Sequence, residues 1–231
     1  MLVLYFRTMS NEIFKTLTDT IKNRRTVKPD KMNGRLIADD TIHALLQLAD
    51  WAPTHGNTEP WRFVVYSGEA VQRFCTQHAD LYKQNTPAEN YLQANFDKLL
   101  HMGDKTSHII IAITQRGQLP KIPFWEELAA TSCAVQNILL GAQALGLASY
   151  WGSGGMATHD AMKTFLGLRP EDMVTGILYL GYTDSQPAGR RIVPLENKMD
   201  WLGLLRVFYI IYFIHNSVQK CGPSFLPLLF F

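Results

Sequence analysis

Cysteine is scarce in this chain and shows no pattern. Three occur in 231 residues, Cys75, Cys133 and Cys221. Their odd number and scatter argue against a disulfide framework and for a reducing, cytoplasmic setting. Cys133 falls inside an apolar helical run and is expected to be a buried free thiol. Metal-ligand spacing is missing too. His43, His78, His101, His108 and His159 lie in different predicted elements and read as surface or capping residues, so no metal site is expected. No Ser-His-Asp or Cys-His arrangement suggests a side-chain nucleophile. Charge of one sign is not in excess: 22 Lys and Arg face 20 Asp and Glu, for a formal net charge of +2. That balance argues against a nucleic-acid partner, which would need a concentrated basic face. The apolar run Val207–Ile214 falls far short of the roughly 18 residues of a membrane span, and Pro223 and Pro227 break its continuation. A dinucleotide glycine fingerprint is also lacking, because Gly141-Ala142-Gln143-Ala144-Leu145-Gly146 closes a helix instead of opening one after a strand.

What the chain does have is apolar material for one domain. Hydrophobic residues make up 47% of it, sufficient for a substantial core. From Ser10 the spacing of Ile13, Phe14, Leu17 and Ile21 predicts a helix. Asp39 or Asp40 can cap a second helix carrying Ile42, Leu45, Leu46 and Ala49 on one face. Phe63–Tyr66 reads as a strand, followed by a helix through Val71, Phe74 and Cys75. Residues 80–105 are polar and aromatic, and read as a mobile connection with a helix near Asn90–Leu100. Ile109–Ile113 is short, apolar and β-branched, hence a buried central strand. The segment from Trp125 to about Leu145 is apolar nearly all round and predicts the buried spine of the domain, closed by Gly146. Leu147–Tyr150 and Val174–Gly181 are further strands. Between them lie a tight turn at Gly152–Gly155 and a short helix at His159–Leu166. Helices mixed with non-alternating strands give an α+β class.

Two stretches carry binding chemistry. In Ala52-Pro53-Thr54-His55-Gly56-Asn57-Thr58-Glu59-Pro60-Trp61, two prolines fence a loop that presents a hydroxyl, an imidazole, a glycine and an amide. The plain alternative is an ordinary helix-to-strand connection. In Asn23-Arg24-Arg25-Thr26-Val27-Lys28-Pro29, three cations and a hydroxyl end a helix. They can gather an anion such as phosphate, or simply compensate the helix dipole. Two further segments follow in order, Thr131–Leu140 with Gly146–Trp151, and Gly176–Tyr182. As an ordered set, these four resemble the FMN-dependent nitroreductase family, in its small single-domain branch, over residues 10–201. Glu59 departs from the pattern, where Gln is more usual. Trp51 is aromatic where the branch has a basic residue, so only packing carries over to it.

The resemblance implies a mixed sheet wrapped by helices and an intertwined homodimer with its active sites at the subunit interface. It implies FMN as cofactor, NADH or NADPH as electron donor, a nitroaromatic or quinone-like small molecule as acceptor, and ping-pong turnover. Because FMN carries the chemistry, no catalytic side chain is assigned. Arg24, Arg25 and Thr26 would hold the phosphate. Arg190 or Arg191 is a second basic position for it, or a solvated loop. Lys28 would stand at the N1–C2 edge of the flavin, or is a surface lysine. Asn57 suits the pyrimidine edge, since an amide both donates and accepts. Gly152, Ser153 and Gly154 would turn backbone N–H groups toward N5 and O4. Trp151 would stack beside the ring, or packs in the core. His55 would approach FMN, across the dimer interface, or caps its own loop. Ala142, Gln143, Ala144, Leu145, Gly146 and Leu147 match a nicotinamide-nucleotide segment, although by composition they are only a helix end. Rival readings are a same-fold flavoenzyme with a different dehydrogenation substrate and a non-catalytic flavin-binding protein.

Both ends lie outside the pattern. Residues 1–9 lack the organisation of a signal peptide, and Met9 is the expected start. Leu202–Phe231 reads either as a tail foreign to the fold or as an apolar tail that packs on a partner subunit.

Overall fold

The computed structural model describes residues 2–202, with side chains from residue 11 onward. The expectation for the tail beyond residue 202 lies outside the described residues. The chain divides into two compact units, Met1–Gly189 and Arg190–Phe231. The first contains α1 (Leu2–Asn23), α2 (Asp39–Ala49), β1 (Trp61–Ser67), α3 (Glu69–Asn85), α4 (Gln93–Leu100), β2 (His108–Thr114), α5 (Phe124–Ala144), β3 (Ala148–Gly152), α6 (Asp160–Phe165) and β4 (Met173–Gly181). In the second, Leu195–Lys198 forms a short 3-10 turn.

The strands lie in the order β1-β2-β4-β3, and every pair is antiparallel. The parallel component is a bridge between Thr26, just past α1, and Ser149 of the edge strand β3. β2 is buried at all of its positions, and successive residues point to opposite faces. Ile110 and Ala112, with Leu178 and Leu180 of β4, pack under Leu45 and Ala49 of α2 and Ala134, Val135 and Ile138 of α5. Ile109, Ile111 and Ile113, with Ile177 and Tyr179, pack on the other face against Val71 and Phe74 of α3 and Met162 of α6. Helices on both faces explain why β2 is apolar throughout instead of alternating. Gly141 lets α2 and α5 approach closely: a Cβ there would stand 2.7 Å from both Leu45 Cδ2 and Leu48 Cδ1.

A buried polar cluster fixes the loops at one end of the sheet. Glu127, in the first turn of α5, is 1% exposed. It pairs with the Arg116 guanidinium and accepts the Gly117 N–H at 2.9 Å. Arg116 also reaches the Ile122 carbonyl at 2.6 Å, while its backbone N–H donates to Asp172 at 2.9 Å. Asp172 receives Arg169 Nη2 at 2.7 Å. Burial pushes the Asp172 carboxyl up, but the Arg169 side chain and the backbone N–H groups of Arg116 and Arg169 outweigh it and hold the group below the usual range.

Local structure departs from expectation at several points. α1 begins at Leu2 instead of Ser10. The residue before α2 is Ala38, without a side-chain cap, and Asp39 and Asp40 lie inside the first turn. There they favour the helix dipole, and Asp39 bonds His108 Nε2 at 2.8 Å. Within 80–105 the helix expected near Asn90–Leu100 is present as α4, but the expected mobile connection before it is partly taken up by α3, which runs on to Asn85, and the Tyr82 hydroxyl anchors the segment by accepting the Leu92 N–H at 3.0 Å. Cys133 is exposed, not buried. It belongs to an uncovered line of α5 that includes Trp125, Ala129 and Gln136, at the spacing of one helix face. His78 and His108 are core residues, not surface ones. His159 does cap α6, accepting the Ala161 N–H at 3.1 Å.

Glu127→Ala leaves Arg116 and the Gly117 N–H without their partner. The expected loss is about 3 kcal/mol, the low end for breaking a buried ion pair, because Arg116 retains some exposure. A urea midpoint unchanged from the parent would show that the cluster does not hold the loops.

Candidate functional site

The site grows from the edge strand β3. Val27 donates its backbone N–H to the Ser149 carbonyl at 2.9 Å, which sets the basic end of α1 alongside this strand. Arg24, Thr26 and Lys28 are thereby brought to the same edge as the Gly152–Gly155 turn. Tyr150 points to the face that carries α3. Trp151 points to the other face, where its indole N–H donates to the Thr175 carbonyl at 3.2 Å. The indole lies directly on Gly176, whose Cβ, if present, would be 1.9 Å from Nε1.

Two cavities open on the Tyr150 side. One, of about 230 Å³, is lined by Tyr150, Gly152, Gly154 and Gly155 on one wall. His78, Tyr82, Asn95 and Lys98 form the other, with Ile177 and Tyr179 of β4 contributing to the lining. The second, of about 430 Å³, is lined by Lys28, Pro29, Asp30, Lys98, His101, Met102 and Tyr150. Tyr150, Lys98 and Met102 line both, so the cavities share a wall. Two lysines, an amide, an aromatic wall and a turn of glycines converge there. That donor set suits a flat ring with an electron-rich edge, because the lysines supply fixed positive charge and the glycines allow close backbone approach.

The remaining expected residues fall elsewhere. Arg25 folds back on its own helix end, donating to the carbonyls of Lys22 at 2.5 Å and Arg24 at 2.9 Å. Its guanidinium lies flush against Gly189, so it serves as a C-terminal cap. His55 and Asn57 form a turn before β1, at the opposite edge of the sheet from β3. Three strand spacings separate those edges, roughly 14 Å. His55 Nδ1 bonds Glu126 Oε2 of α5 at 2.5 Å, and Gly56 sits against Ile122. Asn57 and Gly56 have positive φ, 52° and 60°. Arg191 belongs to the second unit, where it donates to the Arg190 carbonyl at 3.2 Å. Ala142–Leu147 is the closing turn of α5: the N–H of Leu147 bonds the Ala142 carbonyl at 2.8 Å, and that of Gly146 bonds Gln143 at 3.1 Å. Gly146 adopts φ +69° there.

Sequence reasoning missed Asn95, Lys98, Tyr150 and His78. Asn95 and Lys98 are three residues apart on α4, hence on one face. Both fall within the helix expected near Asn90–Leu100, but nothing in the sequence showed that this helix would face the cleft. His78 is the less expected member. It is 2% exposed, and its Nε2 accepts the Met156 N–H at 3.0 Å. Burial lowers its pKa from 6.5 to about 4, so the ring is neutral.

An α+β fold with a cationic, aromatic cleft at an edge strand is the setting in which known proteins give the class. The model of the Nitroreductase family matches residues 21–182, and the chain belongs to that family. The match runs from the end of α1 to the end of β4, so it includes every element that lines the cleft. The chain is 28% identical over 142 residues to YdjA of Escherichia coli (strain K12), which carries the name of an NAD(P)H nitroreductase; the alignment covers 62% of this chain and 75% of that one. The crystal structure of a nitroreductase-like family protein from Bacillus cereus superposes with a TM-score of 0.68 at 28% identity, covering 80% of this chain and 95% of that one. The FMN-dependent nitroreductase NfnB of Mycobacterium smegmatis, solved with NADPH, shares the fold at a TM-score of 0.59 and 18% identity, covering 82% and 99%.

The His78 environment makes stability depend on pH in a defined window. Its folded pKa lies below its ordinary value, so the unfolded chain takes up a proton that the folded one declines. This loss is absent at neutral pH and builds as pH falls from 6.5 toward 4. It approaches roughly 3 kcal/mol at the acid end. Urea midpoints at pH 7 and pH 4.5 should fall further apart for the parent protein than for His78→Gln. Equal separations would show that another group governs that window.

Proposed function

We propose that this protein is an FMN-dependent oxidoreductase that takes hydride from NADH or NADPH and reduces nitroaromatic or quinone-like acceptors. The observation that carries this reading is the convergence of Lys28 and Lys98 on Tyr150, in a cleft continuous with the Gly152–Gly155 turn. When bound, FMN supplies the hydride and electron transfer. Arg24 and Thr26 hold its phosphate where α1 ends, and Lys28 and Lys98 place positive charge beside the pyrimidine edge, which favours the more negatively charged form. Asn95 both donates and accepts at that edge. Tyr150 walls one side of the ring system, and the glycine turn offers backbone N–H groups without side chains to crowd it. Donor and acceptor then use the one remaining open side in alternation, which makes turnover ping-pong.

A homodimer belongs to this reading. α1 exposes Ile13, Phe14, Leu17 and Ile21, and α5 and its surroundings expose Trp125 and Trp51. An apolar surface of that extent is the kind that a permanent partner covers. The His55–Asn57 turn is held at the far edge of the sheet from the cleft of its own chain, so it can serve a flavin only from a second copy. Among the described residues no helix is long and apolar enough to cross a membrane. With the unpatterned cysteines, that supports a cytoplasmic setting.

The full chain is expected to purify yellow, as a dimer by light scattering, with one FMN per subunit on acid release. NADH or NADPH should bleach the bound flavin, and a nitroaromatic should restore its colour. Bleaching without reoxidation by any nitro or quinone compound would favour another flavoenzyme reaction, and no bleaching a storage protein. Arg24→Ala is expected to weaken FMN binding by roughly 1.5–3 kcal/mol, as for a hydrogen bond to a charged group. Lys28→Ala should instead mainly lower the reduction potential. The reverse pattern would mean that the two cations have exchanged roles.

A further inference from the structure

Among the described residues the Gly152–Gly155 turn has no partner strand beyond Gly152, yet it lines the cleft at three positions. What fixes it comes from underneath. His78 projects from α3 and accepts the Met156 backbone N–H at 3.0 Å, immediately after the turn. Gly155 is seated between His78 and Leu99: a Cβ there would stand 2.7 Å from His78 Nε2 and 2.9 Å from Leu99 Cδ2. Its φ of +66° is one that a side chain disfavours. His78 is itself held by the core, with its ring 5.7 Å from that of Phe74. An apolar side chain would fill this space equally well. A polar ring costs free energy to bury unless it is paired, and here it serves a backbone N–H that an apolar side chain would leave without this partner.

We infer that His78 is a positioning residue for the flavin: by accepting the Met156 N–H it holds the Gly152–Gly155 turn at the spacing that presents its backbone to the ring. This rests on the flavin reading of the cleft and adds a residue outside the segments that suggested that reading. The imidazole also lines the smaller cavity, and the role inferred for it is positional, not chemical. Its effect passes through one backbone hydrogen bond to the turn, and from the turn to how tightly the ring is held and how its redox forms are balanced. Its neutrality, imposed by burial, keeps Nε2 an acceptor at physiological pH.

The experiment compares the full chain with His78→Leu, His78→Gln and Gly155→Ala. It titrates FMN by fluorescence quenching and measures the flavin midpoint potential. Leu keeps the volume and removes the acceptor. The amide oxygen of Gln reaches the place of Nε2. His78→Leu should raise the FMN Kd about tenfold and shift the potential, while His78→Gln should restore both to near the parent values. Gly155→Ala, which thrusts a methyl onto Nε2, should reproduce the loss with the histidine still present, and it keeps the test decisive if His78→Leu does not fold. Parent-like affinity and potential in His78→Leu, or in Gly155→Ala where the former does not fold, overturn the inference while leaving the flavin reading intact. A Gln variant as impaired as Leu also overturns it, since the acceptor would then not be what matters. A parent protein that takes up no FMN overturns the flavin reading and this inference with it.

Discussion

Val27 donates to the Ser149 carbonyl, and the neighbouring Thr26 forms a parallel bridge to the same residue. This small piece of backbone pairing sets where the basic end of α1 stands at the cleft. Without it the cations closing α1 would project from a helix end with no fixed relation to the sheet. With it they stand beside β3, whose continuation is the glycine turn and whose Tyr150 walls the cleft. The pairing is possible because the Pro29 that follows keeps this stretch extended instead of helical, and because β3 is an edge strand with one side unpaired. Burial of Val27 and Pro29 on either side of exposed Lys28 secures the arrangement. The lysine is left pointing outward, into the larger cavity.

The second organising region is the start of α5. Adjacent carboxylates there act on different loops. Glu127 reaches inward to Arg116 and Gly117, and Glu126 reaches His55. The loop after β2 and the loop before β1 are thus tied to one helical turn, and Ile122 is packed against Gly56 between them. A single helix therefore sets the height of one loop and carries, along its other side, the uncovered line from Trp125 to Gln136. A partner packed on that line would meet the His55 turn in a position already fixed by the same helix.

Much of the fold was legible because its causes are local. The isoleucine run of β2, the long apolar α5 and the glycine after it all announce themselves through period and composition, and they lie within a few residues of their expected bounds. Where expectation failed, the cause was tertiary. Apolarity along α5 could not say which line would be left uncovered, so Cys133 was misplaced. Histidines carry no signal of burial, and the core positions of His78 and His108 depend on partners distant in sequence, Met156 and Asp39. At the site, the basic end of α1, the glycine turn and a helix near Asn90–Leu100 could be named in advance, but not that this helix would face the other two. α4 is short and polar, and its role depends on packing through Tyr82 and Leu99. Asn57 and Asn95 look equally suitable as residue types, and only the tertiary fold tells which lines the cleft in the same chain.

Trp151 and Gly176 form a pair whose consequences extend beyond packing. The indole occupies the space in which any side chain at position 176 would have to begin, and Trp151 is the residue immediately before the glycine turn. The constraint runs one way: position 176 is tied to the residue at 151, while position 151 can become smaller by itself. A side chain at position 176 needs the indole to be displaced or replaced by something smaller first. A lineage that keeps the indole in that place is confined to glycine opposite it, so drift in that part of the central sheet is blocked by a residue on its rim.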